Sequence, residues 1–278
     1  MQIVRSLPEW KALRPNLPLA LGLIPTMGYL HEGHISLVRR ARAENDVVVA
    51  WIFVNPKQFG ANEDFATYPR DEARDIRLLE EAGTDYLLAP TVEGVYPEGF
   101  QTYVQVEALS KPFEGTSRPG HFRGVATVVA KMLCLTQPRH AYFGQKDAQQ
   151  CAVVRRMVSD LGMLTDIVVC PTVREPDGLA MSSRNAYLRP EERSASVVLY
   201  RALQAAQSAF GKGERDGAVL QAGLHDVLAR EPLAVVDYAA IVDPDTLAEV
   251  PRAGQRALAL LAVKIGRVRL IDNLQLEA

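Results

Sequence analysis

Short, almost wholly apolar runs alternate along this chain with segments whose apolar residues recur at helical spacing. Residues 19–24 and 47–54 are too short for long helices and too apolar for strands with one wet face, so they read as parallel strands covered on both sides. After the first run, Pro25, Gly28 and Gly33 break the pattern, and Ile35, Leu37, Val38 and Ala41 then return at helical spacing among Arg39, Arg40 and Arg42. This is a strand, a tight turn and a helix. The same patterning predicts a short helix over 9–13 and a helix over 71–82, with Ile76 and Leu79 inward and Gly83 as its C-cap. It predicts strands over 85–89, 141–144 and 165–170, a loop over 90–99, and a short edge strand over 102–106. An apolar helix over 125–135 and another running to Leu161 complete this part.

From Pro190 the texture changes. A long alanine-rich helix over 190–210 and a helix over 218–230 precede strands over 235–242, 258–265 and 268–271. Helices followed by strands, without alternation, predict a small α+β domain after the α/β one, with the boundary near Glu175. No internal repeat is present.

Composition narrows the function classes. The 278 residues suit one large domain or two ordinary ones, and 48% hydrophobic with 23% charged residues is ordinary for a globular protein. A net charge of -2 predicts no broad attraction to nucleic acid or membrane. Cys134, Cys151 and Cys170 are odd in number and form no C-x-x-C, which argues against a disulfide framework and for a reducing, cytoplasmic setting. No signal-peptide pattern and no membrane-length apolar run is read.

Candidate chemistry sits at the turns. His31 and His34 share a face at the start of a helix, where free N–H groups and imidazoles suit a phosphate. Metal binding is disfavoured, since no third ligand stands at the usual spacing. The turn is neither a dinucleotide fingerprint nor a P-loop. Asn55 and Gln58 lie just past a parallel strand, as substrate contacts or as parts of a turn. Residues 113–124, with Arg118, His121 and Arg123, are too polar and glycine-rich for core, and read as a substrate-covering segment or a plain surface loop. Lys146 can reach a phosphate, Asp147 can cap a helix or touch a metal-bound water, and one of Gln149 and Gln150 faces the cleft. Met181 to Arg184 is either a phosphate clamp or a loop opening the second domain.

In combination these turns resemble known signatures. His31-Glu-Gly-His34 looks like the His-x-Gly-His signature of the nucleotidyltransferase superfamily shared with class I aminoacyl-tRNA synthetases. Met181-Ser-Ser-Arg184 is similar to that superfamily's Lys-Met-Ser-Lys-Ser-type motif. More closely, Pro-Thr-Met-Gly-Tyr-Leu-His-Glu-Gly-His (25–34), Phe-Val-Asn-Pro-Lys-Gln-Phe-Gly (53–60), Arg-Pro-Gly-His-Phe-Arg-Gly (118–124), Phe-Gly-Gln-Lys-Asp (143–147) and Leu-Ala-Met-Ser-Ser-Arg-Asn (179–185) resemble the pantothenate synthetase (pantoate–β-alanine ligase) family, in its order and over almost the full chain. Two rival classes are another nucleotidyltransferase of the superfamily and a non-catalytic nucleotide-binding module.

The resemblance implies a Rossmann-like, parallel-sheet ATP/pantoate-binding catalytic domain over 1–175 and a smaller α+β domain over 176–278 that closes over the site. The implied reaction makes pantoyl adenylate from pantoate and ATP, then pantothenate and AMP on attack by β-alanine. It implies that Met27, Gly28, Tyr29, Leu30, His31, Glu32, Gly33 and His34 hold ATP, with His34 the family's proton donor. Gly144, Gln145, Lys146, Asp147, Val173, Met181, Ser182, Ser183 and Arg184 are further ATP contacts, and His31, His34 and Lys146 the catalytic set. Gln58 and Gln150 fall to pantoate, Gln58 also to β-alanine, with Asn55 and Arg118 as second-rank contacts. Mg²⁺ accompanies ATP, held by phosphates and not by a protein cage; a homodimer is implied. Gln145 and Ala148 depart from the commoner Glu and aromatic residue.

Overall fold

The computed structural model describes residues 1–61 and 63–277. It divides into two compact units, Met1–Gly144 with Gln149–Pro171, and Gln145–Ala148 with Thr172–Ala278. The second unit thus begins at Thr172, ahead of the expected 176, and takes in a short detached piece of chain. That piece groups there because Asn273 donates through Nδ2 to the carbonyls of Gln145 and Lys146, both at 2.9 Å.

In the first unit β1 (Gln2–Val4), α1 (Leu7–Leu13), β2 (Leu21–Thr26), α2 (Glu32–Glu44), β3 (Val47–Ile52), α3 (Glu72–Glu81) and β4 (Tyr86–Leu88) come in order. They are followed by α4 (Val92–Val95), α5 (Glu114–Ser117), α6 (His121–Thr136), β5 (His140–Gly144), α7 (Ala148–Asp160) and β6 (Asp166–Cys170). The six strands are parallel, in the order β1-β4-β3-β2-β5-β6. Strand order therefore reverses between β2 and β5, and such a switch point opens a crevice at the carboxyl ends of the strands. Burial explains the apolar runs: Leu21, Leu23, Ile24, Val48, Val49 and Ala50 are all enclosed. Ile35, Leu37, Val38 and Ala41 of α2 join Leu79 and Leu87 in one cluster, at the helical spacing seen in the sequence.

Two predicted features of this unit change. Residues 102–106 form no strand; the Val104 N–H goes to Thr127 Oγ1 at 3.0 Å, so alternation here reflects packing on α6 and not a ladder. Residues 113–124 are in part core: Glu114, His121 and Phe122 are buried. Their polarity is absorbed by hydrogen bonds, which composition alone does not reveal. Gln149 supplies some of these, donating to Leu109 O and Pro112 O and accepting from Glu114 N.

The second unit carries α8 (Pro190–Ala195), α9 (Val198–Gly211) and α10 (Gly217–Leu228), then the antiparallel strands β7 (Ala234–Val242), β8 (Arg256–Ile265) and β9 (Val268–Glu277). The single helix expected over 190–210 is two. Buried Ser196 turns its hydroxyl back onto Arg193 O at 2.7 Å, a local bond that competes with helix continuation. Strand β9 runs to Glu277 despite its polar Asp272, Asn273 and Gln275, since Asp272 and Asn273 have partners inside the fold. No helix among the described residues is long and apolar enough to cross a membrane.

Phe210, with no exposed surface, anchors the cluster of Leu203, Leu220, Leu224, Leu261 and Leu276. Phe210→Ala is expected to lower stability by about 3–5 kcal/mol, read by denaturant unfolding, through lost burial and the cavity left behind.

Candidate active site

The first turn follows β2 at the switch point. Gly28 (φ 84°) and Tyr29 (φ 51°) are both left-handed, the second a strained state for a residue with a side chain. Successive backbone N–H groups then meet internal acceptors. Gly28 N donates to Thr26 Oγ1 at 3.0 Å, and Tyr29 N and Leu30 N donate to the two oxygens of buried Asp75 at 2.7 Å each.

His31 is the N-cap of α2. Its Nδ1 accepts from Gly33 N at 3.2 Å, while His31 N donates to His34 Nδ1 at 3.3 Å, a reciprocal capping box built from two imidazoles. Their ring centroids are 4.1 Å apart. The amides of residues 28–31 and 33 at this helix start are thus committed within the protein. Because each Nδ1 accepts a hydrogen bond, the ring proton of each neutral histidine lies on Nε2. The two Nε2–H groups, and not the capped backbone amides, are therefore the donors that the histidines of this turn have to offer.

Beyond β3, Asn55 is buried and its amide is saturated. Nδ2 donates to Gln58 Oε1 (3.0 Å) and Gly124 O (3.1 Å), and Oδ1 accepts from Lys57 N (3.2 Å) and Tyr96 OH (2.9 Å). Its geometry fits orienting Gln58 better than touching substrate. Gln58 Nε2 then lies 3.2 Å from Met27 Sδ, which brings the β2 and β3 turns together. Gly124 is needed here, because an added Cβ would collide with the backbone of Lys57 and Gln58.

Arg118 also acts behind Gln58. Its Nε and Nη2 bind Glu63 at 2.9 and 2.7 Å, Nη2 reaches Gln58 O at 3.4 Å, and Nη1 meets His121 Nε2 at 3.2 Å. His121 donates through Nδ1 to the same Gln58 carbonyl at 2.8 Å. Burial, with the Arg118 guanidinium beside it, pushes His121 down to about 4. Gln149 and Gln150 separate cleanly: Gln149 is buried and bonded to the chain, whereas half-buried Gln150 has no side-chain hydrogen bond among the described residues.

In the second unit, Lys146 is 3.8 Å from Asp147, and Asn273 fixes the turn by its two amide bonds to Gln145 O and Lys146 O. Gln145 Nε2 returns a bond to Asn273 Oδ1 at 3.0 Å, which gives this residue a use of its own. Val173 and Met181 are joined by Met181 N→Val173 O at 3.0 Å. Ser182 caps the short helix Ser183–Tyr187, accepting from Arg184 N at 3.3 Å, and Ser183 is buried. Behind this hairpin Arg174 forms a bidentate pair with buried Asp272 at 2.6 and 3.0 Å.

Sequence reasoning passed over Asp75, Tyr96, Glu63 and Asn273. Asp75 had a signal, since it lies four residues before Leu79 on the inward stripe of α3, where a carboxylate needs a reason. Tyr96 had none, because its bond to Asn55 spans 41 residues of chain.

His121 offers a pH test. Its folded value lies below the usual 6.5, so the neutral form stabilises the fold fully above about pH 6.5 and that contribution is lost as pH falls towards 4. The wild-type stability minus that of His121→Gln is expected to fall through this window, by roughly 3 kcal/mol at most. Ring NMR is expected to titrate near 4.

Comparison with known proteins agrees along the whole chain. A sequence model of the family described as pantoate-beta-alanine ligase matches residues 2–275. The pantothenate synthetase of Roseiflexus castenholzii is 58% identical over 278 residues, covering all of both chains. The crystal structure of pantothenate synthetase from Thermus thermophilus superposes with a TM-score of 0.97 at 51% identity, over 100% of both chains. That of pantoate-beta-alanine ligase from Francisella tularensis, complexed with beta-gamma ATP and β-alanine, gives 0.81 at 35% identity, over 99% of this chain and 97% of that one. Matched by the family model over residues 2–275 and by relatives more than half identical over the whole chain, the chain belongs to the pantoate–β-alanine ligase family.

Proposed function

We infer that this chain condenses pantoate with β-alanine at the expense of ATP, through pantoyl adenylate, releasing pyrophosphate and then AMP. The match of residues 2–275 to the ligase family carries this reading. The relative crystallised with beta-gamma ATP and β-alanine supports the assignment of ligands.

The pantoate carboxylate attacks the α-phosphorus and pyrophosphate leaves; the β-alanine amine then attacks the acyl carbon and AMP leaves. Neither step needs an enzyme nucleophile, so the protein's work is positioning and charge stabilisation. Residues 27–34 hold ATP, with His31 and His34 donating from Nε2 to its phosphates. Lys146 counters charge on the α-phosphate, and Gly144, Gln145, Asp147, Val173 and Met181 to Arg184 complete the nucleotide contacts. Gln58 and Gln150 take pantoate, and Gln58 also β-alanine. Asn55 and Arg118 act on Gln58, as their hydrogen bonds support.

No cluster of three or more His, Cys, Asp or Glu able to hold a metal occurs among the described residues. We place Mg²⁺ on the phosphates of ATP, with the half-exposed Asp147 carboxylate suited to a water of its shell. Bound there, the ion neutralises phosphate charge. We also place the enzyme in the cytoplasm, where free Cys134, Cys151 and Cys170 are at home, and as a homodimer on family grounds.

Positional isotope exchange tests the reaction. With ATP labelled in the α,β-bridging oxygen, scrambling is expected with Mg²⁺ and pantoate and without β-alanine. Absence of both scrambling and pantothenate formation would point to another acceptor. Gln58→Ala is expected to raise KM for pantoate about tenfold or more, as loss of a buried polar contact does. We further propose that the second unit closes over bound ATP. Residues 175–189 are then expected to gain protection from protease on adding ATP and pantoate, and equal cleavage would remove closure from the mechanism.

A further inference from the structure

We propose that Asp75 is a positioning residue for the nucleotide: its buried carboxylate holds residues 28–30 in the backbone form that sets His31 and His34 side by side. The inference rests on the reading that this turn binds ATP.

Gly28 and Tyr29 are left-handed in succession, and the next two backbone N–H groups, of Tyr29 and Leu30, converge on a single anion. Here that anion is internal. Asp75 is 2% exposed and accepts from Tyr29 N and Leu30 N with one oxygen each, both at 2.7 Å. The neighbouring residue grips the same turn from its other side. Arg74 Nη1 donates to Leu30 O at 2.8 Å, and its guanidinium lies 5.5 Å from the centre of the Tyr29 ring. Leu30 is therefore fixed at both of its backbone polar groups, its N–H by Asp75 and its carbonyl by Arg74.

The cost of the arrangement argues for a purpose. Tyr29 occupies a backbone region that side chains disfavour, and a carboxylate is held where Leu79, on the same stripe of α3, is wholly apolar. Burial raises the Asp75 carboxyl while the two N–H groups pull it down, so the grip depends on the turn as much as the turn on it. An apolar residue at 75 would pack on α3, yet leave two aligned amides without an acceptor directly before the capping box. Relaxation of Tyr29 towards an ordinary φ would then rotate His31 out of its N-cap geometry and part the two imidazoles.

The experiment compares Asp75→Asn with Asp71→Ala in the full-length enzyme, by KM for ATP, KM for pantoate at saturating ATP, and Tm. Asp75→Asn keeps the shape but turns an NH₂ group onto a backbone N–H. Asp71→Ala removes the N-cap of α3, whose Oδ1 accepts from Arg74 N at 3.0 Å, and weakens the helix without touching the turn. Asp75→Asn is expected to raise KM for ATP about tenfold or more, with KM for pantoate changed less than about threefold. Asp71→Ala is expected to lower Tm with KM for ATP unchanged. An unchanged KM for ATP in Asp75→Asn overturns the proposal, as does a rise in Asp71→Ala that tracks its loss of Tm equally. If Asp75→Asn does not fold, Arg74→Ala carries the same expectation, and equal weakening of ATP and pantoate overturns it. A wild-type enzyme that binds no ATP in direct titration overturns the reading of the turn itself. Normal wild-type binding with an unaffected Asp75→Asn overturns this inference alone.

Discussion

The backbone amides between β2 and α2 must find acceptors, and the way they do so governs the rest of the first unit. A helix start leaves N–H groups without intrahelical partners. In many nucleotide sites a phosphate takes them. Here Thr26, Asp75, His34 and His31 take them in succession, at positions 28, 29, 30, 31 and 33. Both histidines are therefore parts of the backbone's own hydrogen-bonding scheme before any ligand arrives. Their Nδ1 atoms are committed, their Nε2 protons are set, and the two rings are held close by the cap.

The same economy recurs around Gln58. Its carbonyl is approached by His121 and Arg118, its amide is oriented by Asn55, and Asn55 is in turn held by Tyr96 and Gly124 O. Most of the polar residues in this neighbourhood act on one another, and few are left to meet a substrate. Such saturation keeps a buried polar group from carrying the cost of an unmade bond, and it fixes a single orientation for the Gln58 amide. Gln149 and Gln150 show the division in adjacent positions, one bonded to the chain and one, among the described residues, without a side-chain hydrogen bond.

Much of this was legible in the sequence. Both-face burial wrote itself into 19–24 and 47–54 as apolar runs, and α2 declared its inward stripe through Ile35, Leu37, Val38 and Ala41. The turns bearing His31, His34, Lys146 and Ser182 were visible because glycine and histidine are conspicuous beside apolar strands. Less visible was whatever depends on long-range pairing. The polar segment 113–124 looked like surface because its partners, Glu63 and Gln58 for Arg118, lie more than fifty residues away in the chain. The break at Ser196 was hidden inside an alanine-rich stretch whose propensity favours a single helix, and only its buried hydroxyl, bonded backwards, interrupts it. Charged residues on inward faces, Asp75 and Asp272, are the positions where local pattern and tertiary structure disagree, and each is explained by a specific donor.

The turn at 145–147 has a consequence for the order in which the protein is made. All six strands of the parallel sheet have been synthesised once Cys170 is reached. The amide that ties down the Lys146 carbonyl belongs to Asn273, 127 residues further along the chain. A nascent polypeptide can thus possess its entire first sheet, with both histidines capped in place, while its lysine turn still lacks the partner that gives it shape. The shape of that turn arrives late in translation, as a property of strand β9 more than of the parallel sheet made before it.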